Sequence, residues 1–130
     1  MTRSAGTVRL SVVLLAALLL SGCAARNIWE ASRNGNYDQV RQMIENDPSL
    51  VNAVHTEEIR HDRNNRWTPL HYAAAHQQER VARLLLDNGA DPLAKAISGW
   101  TPLQEARQVN NAAIEQMILK KIEELGLEAP

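Results

Sequence analysis

Residues 68–91 read TPLHYAAAHQQERVARLLLDNGAD, and this stretch carries the start and stop signals of two short helices. Thr68 can cap a helix through its hydroxyl, and Pro69 suits the first helical position, where its missing N–H is no loss. Leu70, Ala73 and Ala74 then share a face of small and apolar residues that lets another helix approach closely. Val81, Ala82, Leu84 and Leu85 recur at helical spacing in the second half. Asn88-Gly89 supplies the left-handed residue that ends a helix, and Asp91-Pro92 turns the chain away. Isolated helices shorter than roughly 12–15 residues are marginal in water, so this pair must bury its apolar stripe against a neighbour.

That requirement directs attention to repeats. Trp67-Thr68-Pro69-Leu70 returns as Trp100-Thr101-Pro102-Leu103, and from Thr68 to Thr101 is 33 residues. In period, in the TPLHxA signature and in the Gly89-Ala90-Asp91 turn, the chain resembles the ankyrin-repeat family. The resemblance implies an all-α ankyrin-repeat solenoid over residues 28–126: three helix-turn-helix repeats, about 28–53, 64–96 and 97–126, with hairpin-like loops. Residues 127–130 are left as a tail. The first repeat departs from the pattern, with Asn27-Ile28-Trp29-Glu30 in place of TPLH, and reads as an N-terminal cap. In it Ile28, Ala31 and Ser32 occupy the places of Leu70, Ala73 and Ala74, and a second helix runs near Tyr37 to Asn46 until Asp47-Pro48 stops it. The third has Gln104-Glu105 where His71-Tyr72 stood, followed by a helix from Ala112 to Leu125 striped with Ile114, Met117, Ile118 and Ile122. Its polar outer side marks a C-terminal cap.

The first connection is longer than the repeat allows. Gly35 and its counterpart Gln77 stand 42 residues apart, nine more than the period, and the excess falls in an extended loop at 53–66. This loop holds Glu57, Glu58, Arg60, His61 and Arg63, and two readings of it stand open: an extended finger that touches a partner, or a solvated charged loop.

Upstream, Arg3 and Arg9 precede an apolar run from Leu10 to Leu20 that is too short to span a bilayer, the pattern of a cleaved signal peptide at 1–22. Leu20-Ser21-Gly22-Cys23 resembles the lipobox of bacterial lipoproteins, which implies lipidation of Cys23, a tether at 23–27 and a mature chain from residue 23. Cys23 is the only cysteine, so no intramolecular disulfide is available to an exported chain. The lipobox family further implies that Ala24 favours the outer membrane, with the protein facing the periplasm.

Without residues 1–22 the chain keeps 12 basic against 15 acidic residues, a net charge of −3, and no basic patch with interleaved aromatics, so nucleic acid is not an expected partner. Serines at 32, 49 and 98 lie outside any nucleophile elbow, and the scattered glycines build no phosphate-cradling run. No enzyme, cofactor or catalytic residue is therefore expected. His55 and His61 have no recognised ligand spacing, and His71 and His76, five residues apart, point about 140° away from each other on a helix, so no metal is expected either. For His71 the resemblance implies structural hydrogen bonds near the helix start.

What remains is a surface. The ankyrin resemblance places variable, exposed side chains along a concave groove, which here means Trp67 and Trp100 in register. Asn65, Ala75 and His76 join them in repeat two, Ile97, Ser98, Gln108 and Val109 in repeat three, and Arg33 and Asn34 in repeat one. Tryptophan is over-represented in binding hot spots, so Trp67 and Trp100 are expected to form an apolar strip, the other reading being that each indole covers its own hairpin. These features lead to a monomeric, lipid-anchored protein-binding module. Small lipoproteins and ankyrin repeats also resemble immunity proteins that neutralise a secreted toxin or lipase effector. The alternative is a structural or oxidative-stress-related envelope protein supporting a periplasmic enzyme.

Overall fold

The computed structural model describes residues 27–56 and 66–130. Among them are six α-helices: α1 (Ile28–Asn34), α2 (Tyr37–Asn46), α3 (Pro69–Ala75), α4 (Glu79–Asp87), α5 (Pro102–Gln108) and α6 (Ala112–Glu124). A 3-10 turn at Pro48–Asn52 follows α2. Each consecutive pair packs as an antiparallel hairpin, α1 on α3 on α5 form one layer, and α2 on α4 on α6 form the other. This is the all-α solenoid of three repeats expected above, and no strand occurs among the described residues.

The core runs between the layers and follows the repeat. Ile28, Leu70 and Leu103 are buried at one position and Ala31, Ala73 and Ala106 at the next, so small residues set how closely the inner helices approach. Val40 and Ile44, Val81 and Leu85, and Ile114, Ile118 and Ile122 close it from the outer layer. Leu84 is only partly buried while Leu86 belongs to the core, a small rotation of the α4 stripe from the one expected.

The turns between paired helices repeat to the residue. Gly35, Gln77 and Asn110 all take the left-handed conformation, at φ 74°, 58° and 55°. The next N–H in each case closes on the alanine of the preceding helix: Asn36 on Ala31, Gln78 on Ala73 and Asn111 on Ala106, at 2.9, 2.8 and 3.0 Å. Side chains then tie neighbouring repeats. Asn52 donates to the Gly89 carbonyl at 3.0 Å and accepts from the Asp91 N–H at 2.8 Å, while Gln78 donates to the Arg33 carbonyl at 3.0 Å.

Connections between repeats form hairpin-like bases. His55 N–H donates to Trp67 O and Arg66 N–H to His55 O, both at 2.8 Å, and the second connection repeats this with Ala96 N–H donating to Trp100 O at 2.9 Å. His55 thus corresponds to Ala96, with 12 residues from His55 to Trp67 against four from Ala96 to Trp100. Eight of the nine extra residues therefore lie beyond the base of the first hairpin. Glu57, Glu58, Arg60, His61, Arg63 and Asn65 lie outside the described residues, as does Cys23. Among the described residues no helix is long and apolar enough to cross a membrane.

Candidate functional site

The inner helices α3 and α5 begin the same way, and each follows a tryptophan. Extended backbone at Thr68 and Thr101 precedes a proline in the first turn. In repeat three the exchange is reciprocal: Gln104 Oε1 accepts from Thr101 N–H at 2.8 Å and Gln104 N–H reaches the Thr101 hydroxyl at 3.5 Å. Repeat two uses His71 instead. Its Nδ1 lies 3.1 Å from Thr68 N–H and 2.9 Å from the Thr68 hydroxyl, which makes Nδ1 the acceptor and leaves Nε2–H to donate to the Trp100 carbonyl at 3.0 Å. His71 therefore links the start of one inner helix to the hairpin of the next repeat, the structural role its motif implied. Burial lowers its pKa from the ordinary value, against smaller opposing effects of the Trp100 carbonyl and the Asp91 charge.

The expectation that Trp67 is exposed beside Trp100 is corrected: Trp67 is 2% exposed and Trp100 37%. Trp67 packs with Tyr72 and Ala96, its ring edge-on to Tyr72 at 5.0 Å and stacked on His71 at 5.8 Å. The asymmetry has a physical cause. Ala96, from the hairpin that follows, closes over Trp67, whereas Trp100 belongs to the last hairpin among the described residues, with Glu105 in place of Tyr72. Among the described residues the buried Trp67 indole N–H has no hydrogen-bond acceptor, a cost set against the large apolar area the ring buries.

An aromatic assembly missed in the sequence surrounds this corner. His55 stacks on Trp29 at 4.5 Å, and its Nδ1 lies 2.6 Å from the Tyr72 hydroxyl. Trp29 Nε1–H donates to the Ala53 carbonyl at 2.9 Å. Trp29, His55, Tyr72, Trp67 and His71 thus form one chain of rings that clamps the base of the long loop to α1 and α3. The rings come from three separate segments of sequence, at Trp29, His55 and Trp67 to Tyr72, so no spacing rule joins them.

The remaining expected contact residues separate into two patches. Ile97, Ser98 and Trp100 sit on the second hairpin, where Ile97 is 65% exposed and the Ser98 hydroxyl accepts from Trp100 N–H at 3.4 Å. Arg33 and Asn34, Ala75 and His76, and Gln108 and Val109 occupy matching positions at the far ends of α1, α3 and α5. There Ala75 and Val109 are partly buried and the others exposed. Partial burial and then the Arg33 charge from the neighbouring repeat lower the His76 pKa. Each inner helix has seven residues, which puts about 10 Å between the two patches.

Comparison with known proteins agrees with this architecture. A family model of ankyrin repeats in three copies matches residues 28–128. The chain is 32% identical over 100 residues to the probable E3 ubiquitin-protein ligase XBOS32 of Oryza sativa subsp. japonica, across 75% of this chain and 19% of that protein. It is 35% identical over 77 residues to protein phosphatase 1 regulatory subunit 12A of Mus musculus, across 59% and 7%. It is 29% identical over 104 residues to the ankyrin repeat and SAM domain-containing protein 6 of Rattus norvegicus, across 79% and 11%. The chain spans less than a fifth of the length of each of these relatives.

Proposed function

Because the chain belongs to the ankyrin-repeat family, we propose that it works as a protein-binding module, tethered to a membrane through Cys23 and gripping a partner with its hairpin side and inner helix ends. The observation that carries this reading is the exposure of Ile97 and Trp100 side by side on a hairpin whose counterpart in the preceding repeat buries its tryptophan. A solenoid that can cover one indole and leaves the other open presents an apolar contact within a polar surround, the composition of a binding hot spot. The charged loop at 57–65 would add specificity, since charges at an interface rim govern encounter and selection more than affinity.

The anchor rests on the charged start, the apolar run, and the Leu20-Ser21-Gly22-Cys23 box around the sole cysteine. Each buried methylene of an acyl chain contributes about 0.8 kcal/mol, so multiple chains hold such a protein at the membrane durably. We place it in a bacterial envelope, facing the periplasm and at the outer membrane on the strength of Ala24. In its narrower form the partner is a secreted toxin or lipase effector that this protein neutralises.

The test is recovery of partners from the native envelope with the full chain as bait. Loss of a specific protein on Trp100→Ala and Ile97→Asp, with folding intact, supports the hairpin site, and undiminished recovery rejects it. Cys23→Ala should move the protein from the membrane to the soluble fraction, and unchanged fractionation rejects the anchor. A toxin gene beside this one, with growth protection on co-expression, would support the immunity reading.

A further inference from the structure

The two hairpins differ at one backbone position in a way that directs attention to a neighbouring cleft. Gly99 precedes Trp100 and Arg66 precedes Trp67, and both residues are left-handed, at φ 82° and 66°. Glycine takes that conformation freely, while a side chain there is strained. The chain thus holds an arginine where its own repeat uses glycine, and the hairpin bond from Arg66 N–H to His55 O at 2.8 Å holds that conformation against its strain.

Arg66 lines a cleft of about 350 Å³ between the two hairpins, together with Val54, Thr68, Asp91, Ala94 and Lys95. Arg66 and Lys95 are both exposed, and neither has an ion-pair partner among the described residues. Asp91, the acid lining the cleft, already accepts the Leu93 N–H on Oδ1 at 2.9 Å. Val54, 40% exposed, and Ala94 give the cleft an apolar side. Two cations with no ion-pair partner among the described residues, beside an apolar wall, suit an extended protein segment in which a carboxylate stands next to an apolar residue. The arginine fork would take the carboxylate with two hydrogen bonds and the wall its neighbour.

We propose that the cleft between the hairpins binds an acidic segment of the partner protein, with Arg66 as the carboxylate receptor and Lys95 as the second cation. This rests on the protein-binding reading above and names the partner's chemistry. Substitution of Arg66 by glycine would relax that backbone and forfeit the fork.

The probe is a labelled octapeptide alternating glutamate with valine and serine, titrated into the full chain by fluorescence anisotropy, with amide shifts followed on isotopically labelled protein. Saturable shifts are expected at Val54, Arg66, Thr68 and Lys95, fading as salt rises, and absent with the glutamine version of the peptide. Arg66→Gly should raise the thermal midpoint and weaken binding at least tenfold, and Lys95→Gln should weaken it severalfold without moving the midpoint. The proposal is overturned by unchanged affinity in the Arg66→Gly and Lys95→Gln double variant, by an absence of saturable shifts in the cleft, or by inorganic phosphate reproducing the peptide's shifts and affinity. Trp100→Ala lies outside the cleft, so failure of the hairpin site and failure of the cleft are read from different variants.

Discussion

Replacing Trp67 with alanine empties a site enclosed by Tyr72, His71 and Ala96, and Tyr72 and His71, each held by its own hydrogen bond, cannot refill it. Such a change costs about 3–5 kcal/mol. Trp100→Ala removes a ring that is 37% exposed and should cost less than half as much. Urea denaturation of the two variants checks this, and equal losses would contradict the buried and exposed assignments. At His71 the relevant variable is pH. Its folded-state pKa lies below the ordinary value of 6.5, so as pH falls the unfolded chain takes up the proton first. The stabilisation tied to the neutral ring is complete above about 6.5 and declines as pH falls from there towards the lower folded-state value. Protonation of Nδ1 would also set a donor against the Thr68 N–H. Urea midpoints at about pH 7.5 and pH 5 should therefore differ, and His71→Gln should reduce the difference, because Gln104 shows that glutamine can hold the same cap without titrating in this range. His76 contributes less to this slope, being exposed and screened by solvent.

At the scale of elements, the turn between paired helices is the unit that repeats most closely. Gly35 is left-handed, and a Cβ there would meet the side-chain amide of Gln78, the group that donates to the Arg33 carbonyl and ties repeat two to repeat one. Gly35→Ala combines backbone strain with displacement of that tie and should cost about 1–3 kcal/mol. Gln77→Gly relaxes the same conformation at the matching position of repeat two and should be neutral to stabilising by about 0.5–1 kcal/mol. Thermal midpoints of the two variants should move in opposite directions. This element was legible in the sequence only in part: Gly35 and Gly89 announce left-handed turns and asparagine at 110 tolerates one, whereas Gln77 carries no such mark and is held left-handed by the hydrogen bond that follows it.

Over the whole molecule, no helix pair is self-sufficient. Leu70 and Leu85 in the central repeat are covered from both sides, and bonds such as His71 to Trp100, Asn52 to Asp91 and Asn111 to Glu79 cross every repeat boundary. Unfolding should therefore be a single transition. Trp29, Trp67 and Trp100 report on three different repeats, so tryptophan fluorescence and helical circular dichroism should give coincident midpoints. Separate transitions would mean that the repeats melt independently.

The 33-residue echo of Trp-Thr-Pro-Leu, the small residues on the inner helices and the stop signals after each outer helix were enough to determine the solenoid, its three repeats and its core, because each depends on local spacing and on which residues share a helical face. Tertiary structure alone decided which tryptophan faces solvent. Trp67 and Trp100 share the Trp-Thr-Pro-Leu string, and burial of the first depends on a hairpin that arrives 29 residues later, on the Tyr72 ring and on the Trp29 ring of α1. It likewise decided that the expected contact residues divide between hairpin and helix ends, and that Arg66 and Lys95 share a cleft. Local sequence sets conformation, but exposure is a sum over everything that packs against a residue, and those neighbours come from distant parts of the chain.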